Sequence, residues 1–599
     1  MRPFRLPSQA RSAGKGKLFP HWCFRLVGLC VAFFCVLGVR AETPSSPLRL
    51  LPDQADLLIQ VPQPRRLVET LTTLDTLKQL QQVAPIRELL GSTKARRFTQ
   101  LVAYFEKELG LPWPQLLDRL AARGAVLGIK LGPSPAPTLL VIQGDDDKLM
   151  TRFFQLGLQI LEQELARQEA KDRPVKGSYE GIDTVRIGTK FYAAVAGAAL
   201  FLSNSEKALH AGLDQHRNGG KKSMADVPGV HEAAKLLPPQ SLASFWLKME
   251  KLRQSPGAKA AYKSLPRNDP AQTVLFGHYL DLLGRSPFVC AAVYPSSDGL
   301  AAAIVIPRGR DGMGGDKLLH VPPAGVPGSR PLLEPKNVLY SESSYFNLAN
   351  IWTERATLFT EKQVRQLEGF EKKSAPFLIG TKLSKLLMQA GPYYRFVAAH
   401  QTKVGYKTTP KISIPAFALV WELREPEAFG KSMEAVLRGA ALLGGAQVNL
   451  QLVEEKYKDC KLVGYRFPED KSLKGDINDL RFNFTPCFTR VGDQFVVSST
   501  IDLCRELVDL LDKEGSSPTR GDASSARMRF YGSGVAAYLH TIEELLITQT
   551  TLDQAVTPKE AREQVKRFLD IIRGFGALSL EPRFNDKTFR YDFRLRPEK

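Results

Sequence analysis

The chain has 599 residues, 43% of them apolar, and a formal net charge of +20 spread over 82 basic and 62 acidic side chains. That length is ample for two domains. The scattered charge excludes a nucleic-acid binder built around one basic motif, so no specific nucleic-acid binding is expected.

The first stretch reads as a leader. Arg2, Arg5, Arg11, Lys15, Lys17 and Arg25 form a basic region with no acidic residue, and Leu26 to Val39 is continuously apolar. Val39-Arg40-Ala41 follows with small or apolar groups at its ends, which predicts a signal peptide over 1–41 cleaved after Ala41. The alternative is an uncleaved N-terminal anchor. Both readings place the remainder outside the cytoplasm, in the periplasm or cell envelope. Without the seven basic residues of the leader the charge is +13. That leaves weak attraction to an envelope polyanion or an anionic lipid surface as the partner expectation. Of seven cysteines, only Cys290, Cys460, Cys487 and Cys504 lie beyond the leader, with no C-x-x-C, so a disulfide framework and a zinc ribbon are unsupported.

After the leader, "LRLLPDQADLLIQV" predicts a strand, followed by a helix. "LGLPWPQLLDRLAARGAVLGI" predicts a short helix, a glycine and an alternating strand. "PTLLVIQGDDDKLM" predicts an apolar strand, an acidic turn and a long helix. "YEGIDTVRIGTKFYAAVAGAALFLSNS" predicts several strands, the last apolar on both faces and therefore central and covered on both sides. "FVCAAVYPSSDGLAAAIVIP" closes the series as a hairpin.

The same five signatures recur in order about 280–295 residues later. "PLLEPKNVLYSESSYF", "TKLSKLLMQAGPYYRFVAAH", "PAFALVWELREPEAF", "YKDCKLVGYRF" with "FTRVGDQFVVSS", and "GALSLEPRFNDKTFRYDFRLRP" are the counterparts. The period predicts a tandem duplication: domain copies at 47–306 and 332–597, with a Gly/Pro-rich linker at 307–331. The fold class is α+β, each copy a mostly antiparallel sheet packed with helices on one face. The two sheets join either face to face or edge to edge.

With its signal peptide, "LLPDQADLLIQV", "LGLPWPQLLDRLAARGAVLGI" and the "Y-x-G" stretch leading to "LFLSNS", the chain resembles a group of exported bacterial proteins known as a domain of unknown function. The resemblance implies export and a duplicated α+β body. It implies no activity and no catalytic residues.

Chemical motifs are sparse. Gly532-Ser533-Gly534 lacks the G-x-S-x-G spacing of a nucleophile elbow. The histidines lack metal spacing, and Asp145-Asp146-Asp147 reads as a helix cap rather than a cation loop. No catalytic, cofactor-binding or metal residue is therefore assigned, and no cofactor is expected. Asn483-Phe484-Thr485 is a glycosylation sequon only where the host glycosylates. Cys460 and Cys487 flank a polar insertion in the second copy and are the candidate disulfide, against a reading as two packed thiols. Lys403, Tyr406, Lys407 and Lys411 are the candidate polyanion contact, against a reading as a solubilising edge. The function expected is that of an exported structural or ligand-binding protein without catalytic machinery. The alternatives are an exported hydrolase with dispersed site residues and a carrier of apolar ligands.

Overall fold

The computed structural model describes residues 46–597 apart from 74–90, 260–268, 298, 377, 379–380, 402–404, 474 and 516–525. The leader and Lys403 lie outside the described residues. The first half supplies β1 (Leu57–Val61), β2 (Gly124–Ile129), β3 (Thr138–Gln143), β4 (Pro174–Tyr179), β5 (Ile182–Ile187), β6 (Phe191–Ala196), β7 (Ala199–Ser203), β8 (Ala243–Lys248), β9 (Phe288–Ser296) and β10 (Gly299–Pro307). The second half supplies β11 (Val338–Tyr345), β12 (Ala390–Ala399), β13 (Ala416–Leu423), β14 (Gln451–Tyr457), β15 (Cys460–Arg466), β16 (Cys487–Val491), β17 (Gln494–Ser498), β18 (Ala526–Tyr531), β19 (Ala577–Phe584) and β20 (Thr588–Arg596).

These twenty strands form one antiparallel sheet. From one edge the order is β4-β5-β6-β7-β3-β2-β1-β8-β9-β10. It continues β20-β19-β18-β11-β12-β13-β17-β16-β15-β14. Read from its own outer edge, the second half repeats the first with ten added to every strand number. The turn glycines coincide as well. Gly197 (φ 56°) joins β6 to β7 and Gly492 (φ 57°) joins β16 to β17, both in the left-handed region that a residue without Cβ enters freely. The halves join edge to edge through β10 and β20, in eight register pairs from Leu300↔Leu595 to Pro307↔Thr588.

Helices cover both faces of the outer parts of the sheet, which corrects the expectation of one covered face. In the first half α1 (Thr93–Leu109), α2 (Trp113–Leu120) and α3 (Asp147–Arg167) bury Phe105, Leu117 and Met150 against Leu140, Ile142 and Leu200. On the opposite face α4 (Glu206–Arg217) buries Leu209 and Leu213 against Val141 and Phe201. The cause is the apolarity of both faces of the inner strands: all five residues of β7 are buried. A further helix, α5 (Pro270–Arg285), lies at the junction. The second half has α6 (Leu383–Gln389) and α7 (Pro426–Val448) on one face and α8 (Ile501–Gly515) on the other. It also has α9 (Gly532–Thr541) and α10 (Pro558–Gly574).

Two connecting features have packing explanations. A Cβ on Gly534 would stand 1.9 Å from the Val338 carbonyl oxygen, and one on Gly532 would stand 2.1 Å from that of Ile572. The Gly-Ser-Gly run is thus a close-approach device, and Ser533 simply faces solvent. The Gly/Pro-rich connection is packed rather than free. It contributes Met313, Leu318 and Val321 to a cluster at the junction, and beyond it Leu333 enters the core beneath α8.

Candidate binding face at the seam

Along β12, Tyr393, Arg395, Val397 and Ala399 are buried while Tyr394, Phe396 and Ala398 are half-exposed. The strand period of two therefore gives the inner part of the sheet one covered and one open face. An antiparallel sheet with a solvated face normally turns polar residues outward. This one does not. Across β9, β10, β20, β19, β18, β11, β12 and β13 one row reads Val293, Ala302, Phe593, Leu580, Met528, Glu342, Phe396 and Leu419. The adjacent row reads Pro295, Leu300, Leu595, Leu578, Phe530, Tyr340, Ala398 and Phe417. Phe530 is 50% exposed, Phe417 45% and Leu578 43%. The Tyr340 and Phe530 rings lie 4.6 Å apart.

Glu342 is the one charged residue in these two rows. Its carboxylate accepts hydrogen bonds from the hydroxyls of Ser344 (2.7 Å), Tyr340 (2.8 Å) and Tyr394 (2.9 Å). Burial, then the Glu342 charge, pushes the Tyr340 and Tyr394 phenols far above their usual range, so they remain protonated donors. The result is a carboxylate rimmed by hydroxyls on an apolar floor.

One end of this face is walled. Tyr279 and Leu282 of α5, with Met313, Leu318 and Val321, cover Ile306, Phe584, Phe589 and Tyr591. The Tyr591 and Tyr279 hydroxyls are 2.5 Å apart. In the same wall the His278 and His320 rings lie 4.8 Å apart, and His320 stacks on Phe346. The His278 Nδ1 is buried without a partner. Burial, followed by repulsion from His320, holds His278 well below the usual histidine range, and burial lowers His320 as well. The unfolded chain therefore binds more protons once the pH drops below about 6.5, and stability falls from there toward the native pKa. The melting temperature is expected to drop between pH 7 and pH 5, and to drop less in His278→Phe. An identical pH dependence in the variant would remove His278 from this account.

On the other face of the seam strands the charges are paired. Asp592 is buried and lies 2.8 Å from Arg590, and its Oδ1 accepts from the Tyr294 hydroxyl at 3.2 Å. Arg583 pairs with Glu581 at 3.0 Å.

The residues singled out from sequence lie elsewhere. Asp146 caps α3, its carboxylate accepting from the Leu149 amide at 2.9 Å, and Arg119 pairs with it at 2.9 Å. Tyr406 turns inward. Its hydroxyl donates to the Phe484 carbonyl (2.8 Å) and accepts from the Phe467 amide (3.0 Å). Lys407 and Lys411 stay exposed, while the Tyr406 hydroxyl is taken up by the backbone. Asn483 of the sequon is fully buried, and its amide group bonds to the backbone of Ile412, Leu480 and Ile414.

The Cys460–Cys487 bridge is corrected too: all four described cysteines are free thiols. Cys487 pairs across the sheet with Gly464. Cys460 is four residues further along β15, about 13 Å away at strand spacing and beyond the reach of a disulfide of about 7 Å. The Cys487 thiol donates instead to the Thr500 carbonyl at 3.7 Å, in the core that also holds Cys504. Among the described residues no group of three or more His, Cys, Asp or Glu side chains could hold a metal ion, and no helix is long and apolar enough to cross a membrane.

No protein-family model matches the chain, and no curated protein matches it. Three solved structures of TP0453 show a distant likeness. Crystal form I is 10% identical with a TM-score of 0.22, covering 44% of this chain and 80% of that one. Crystal form III is 9% identical with a TM-score of 0.23, covering 46% and 84%. Crystal form IV is 10% identical with a TM-score of 0.22, covering 44% and 81%. Scores of that size do not establish a shared fold.

Proposed function

We propose that the chain is an exported, non-catalytic binding protein whose working surface is the open face of the sheet at the seam. The observation that carries this reading is the pair of apolar rows on inner strands, with Phe530, Leu578 and Phe417 each more than two-fifths exposed. Each row crosses eight strands, roughly 34 Å at sheet spacing. Contiguous apolar surface of that extent on a soluble protein marks an interaction site. The polar groups on the face are a carboxylate and the hydroxyls bonded to it. That set suits holding a cation and lacks the nucleophile–base–orienter relay that acyl transfer requires. The face is open rather than wrapped around a cavity, which favours surface binding over an enclosing carrier.

A titration with the neutral apolar dye Nile red tests the reading. Saturable fluorescence enhancement is expected, together with its loss in Phe530→Asp at unchanged far-ultraviolet circular dichroism. Undiminished dye binding in that variant would refute the site.

The same proposal treats residues 47–306 and 332–597 as duplicated units and the leader as cleaved. Sequencing the N-terminus of protein from its host should begin at Glu42; a cytosolic form beginning at Met1 would contradict export.

A further inference from the structure

The tandem symmetry says what kind of molecule the open face takes. β10 and β20 are each nine residues long and antiparallel to one another, so an approximate two-fold axis passes between them. The axis relates Phe589, second in β20, to Leu300, second in β10. It likewise relates Ile306 to Leu595. Tyr279 stands nine residues before β9, and Phe568 stands nine before β19. At the walled end, Ile306 and Phe589 are buried under a turn of this chain that carries Met313, Leu318 and Val321. At the related end the same apolar positions persist, but Leu300 and Leu595 are half-exposed and Phe568 is 44% exposed. Among the described residues no hydrophobic cluster takes in Leu300 or Leu595 as the one at the walled end takes in Ile306 and Phe589. The uncovered patch is continuous through Leu578 and Phe530 with Tyr340, beside the Glu342 carboxylate.

We propose that this end of the face docks a polypeptide segment of a partner, shaped like the turn at 313–321. It would present two or three aliphatic side chains to Leu300, Leu578 and Leu595, and a lysine or arginine to Glu342. Three features support that occupant. The related site is filled by a polypeptide turn, the patch is continuous with the interface between the halves, and the single charge on the face is negative. The proposal rests on the reading of the open face as a binding surface.

The probe is a fluorescein-labelled peptide of Gly312 to Pro322 (GMGGDKLLHVP), which carries Lys317, Leu318, Leu319 and Val321. It is titrated into the full chain and followed by anisotropy. Saturable binding is expected, with affinity reduced about tenfold by Leu578→Asp. Glu342→Gln is expected to reduce it about threefold and to flatten its salt dependence. Peptide binding that is unchanged in Leu578→Asp overturns the proposal. So does an absence of peptide binding while Nile red still binds and is lost in Phe530→Asp, an outcome that leaves the apolar surface intact and removes only the polypeptide. Failure of both probes removes the surface itself. Co-sedimentation with neutral phosphatidylcholine vesicles that Leu578→Asp abolishes, without peptide binding, assigns the face to lipid and likewise overturns it.

Discussion

Replacing Arg395 with alanine is expected to destabilise the protein by about 3–4 kcal/mol, the range for stripping one partner from a buried ion pair. Arg395 is 2% exposed on β12. Its guanidinium donates to Glu514 at the end of α8 (2.5 Å), to the Gln494 side chain (3.3 Å) and to the Pro331 carbonyl (3.4 Å). One side chain thus ties together strand, helix and connecting segment. Removing it leaves three acceptors short of a donor and a void where a long side chain lay. Glu514 is partly exposed and regains some water, which keeps the loss below the upper end of such cases. Replacing Arg395 and Glu514 together with methionine and leucine should recover much of it, because no charge is then stranded. Urea unfolding at neutral pH measures both variants; a loss under about 1 kcal/mol for the alanine variant would mean that Arg395 is not the tie described.

The second large effect is an asymmetry. Phe589→Ala removes a fully buried ring stacked 3.9 Å from Phe584, an expected loss of about 3–5 kcal/mol. Leu300→Ala, at the two-fold-related position, is expected to cost less, about 1–2 kcal/mol, because that residue is only partly buried. Comparable losses at the two positions would mean that the two ends of the seam are equally covered, and the docking patch would disappear with the difference.

The repeated strand order was legible in the sequence because it is written in hydrophobic order. "FYAAVAGAALFLS" announced a strand buried on both faces, and β7 is one. The left-handed turns at Gly197 and Gly492 fall at matching points because the chain reverses there and a Cβ would be strained. A helix layer on each face follows from such strands: β3, like β7, is apolar on both sides and meets helices on both. The binding face was illegible. In "VLYSESSY" the inward set includes Ser341 and Ser343 and the outward set includes Tyr340 and Glu342, so neither parity looks like a core. Glu342 becomes notable only when pairing sets Phe530, Met528 and Phe396 beside it, and those partners come from segments up to 190 residues away. Tyr406 is a converse case. Lysines around an aromatic suggest a surface, but whether a ring faces solvent depends on the insertion that packs on it.

The claim on which the rest depends is that the two halves share one sheet through β10 and β20, since the open face exists only if they do. Hydrogen–deuterium exchange of the intact chain measures this directly. The hydrogen-bonded amides of residues 300–307 and 588–595 are expected to exchange as slowly as those of the fully buried strand β7, opening only with global unfolding. Exchange of both segments at the rate of exposed loops, while β7 stays protected, would show two separate sheets with free edges and would contradict the account.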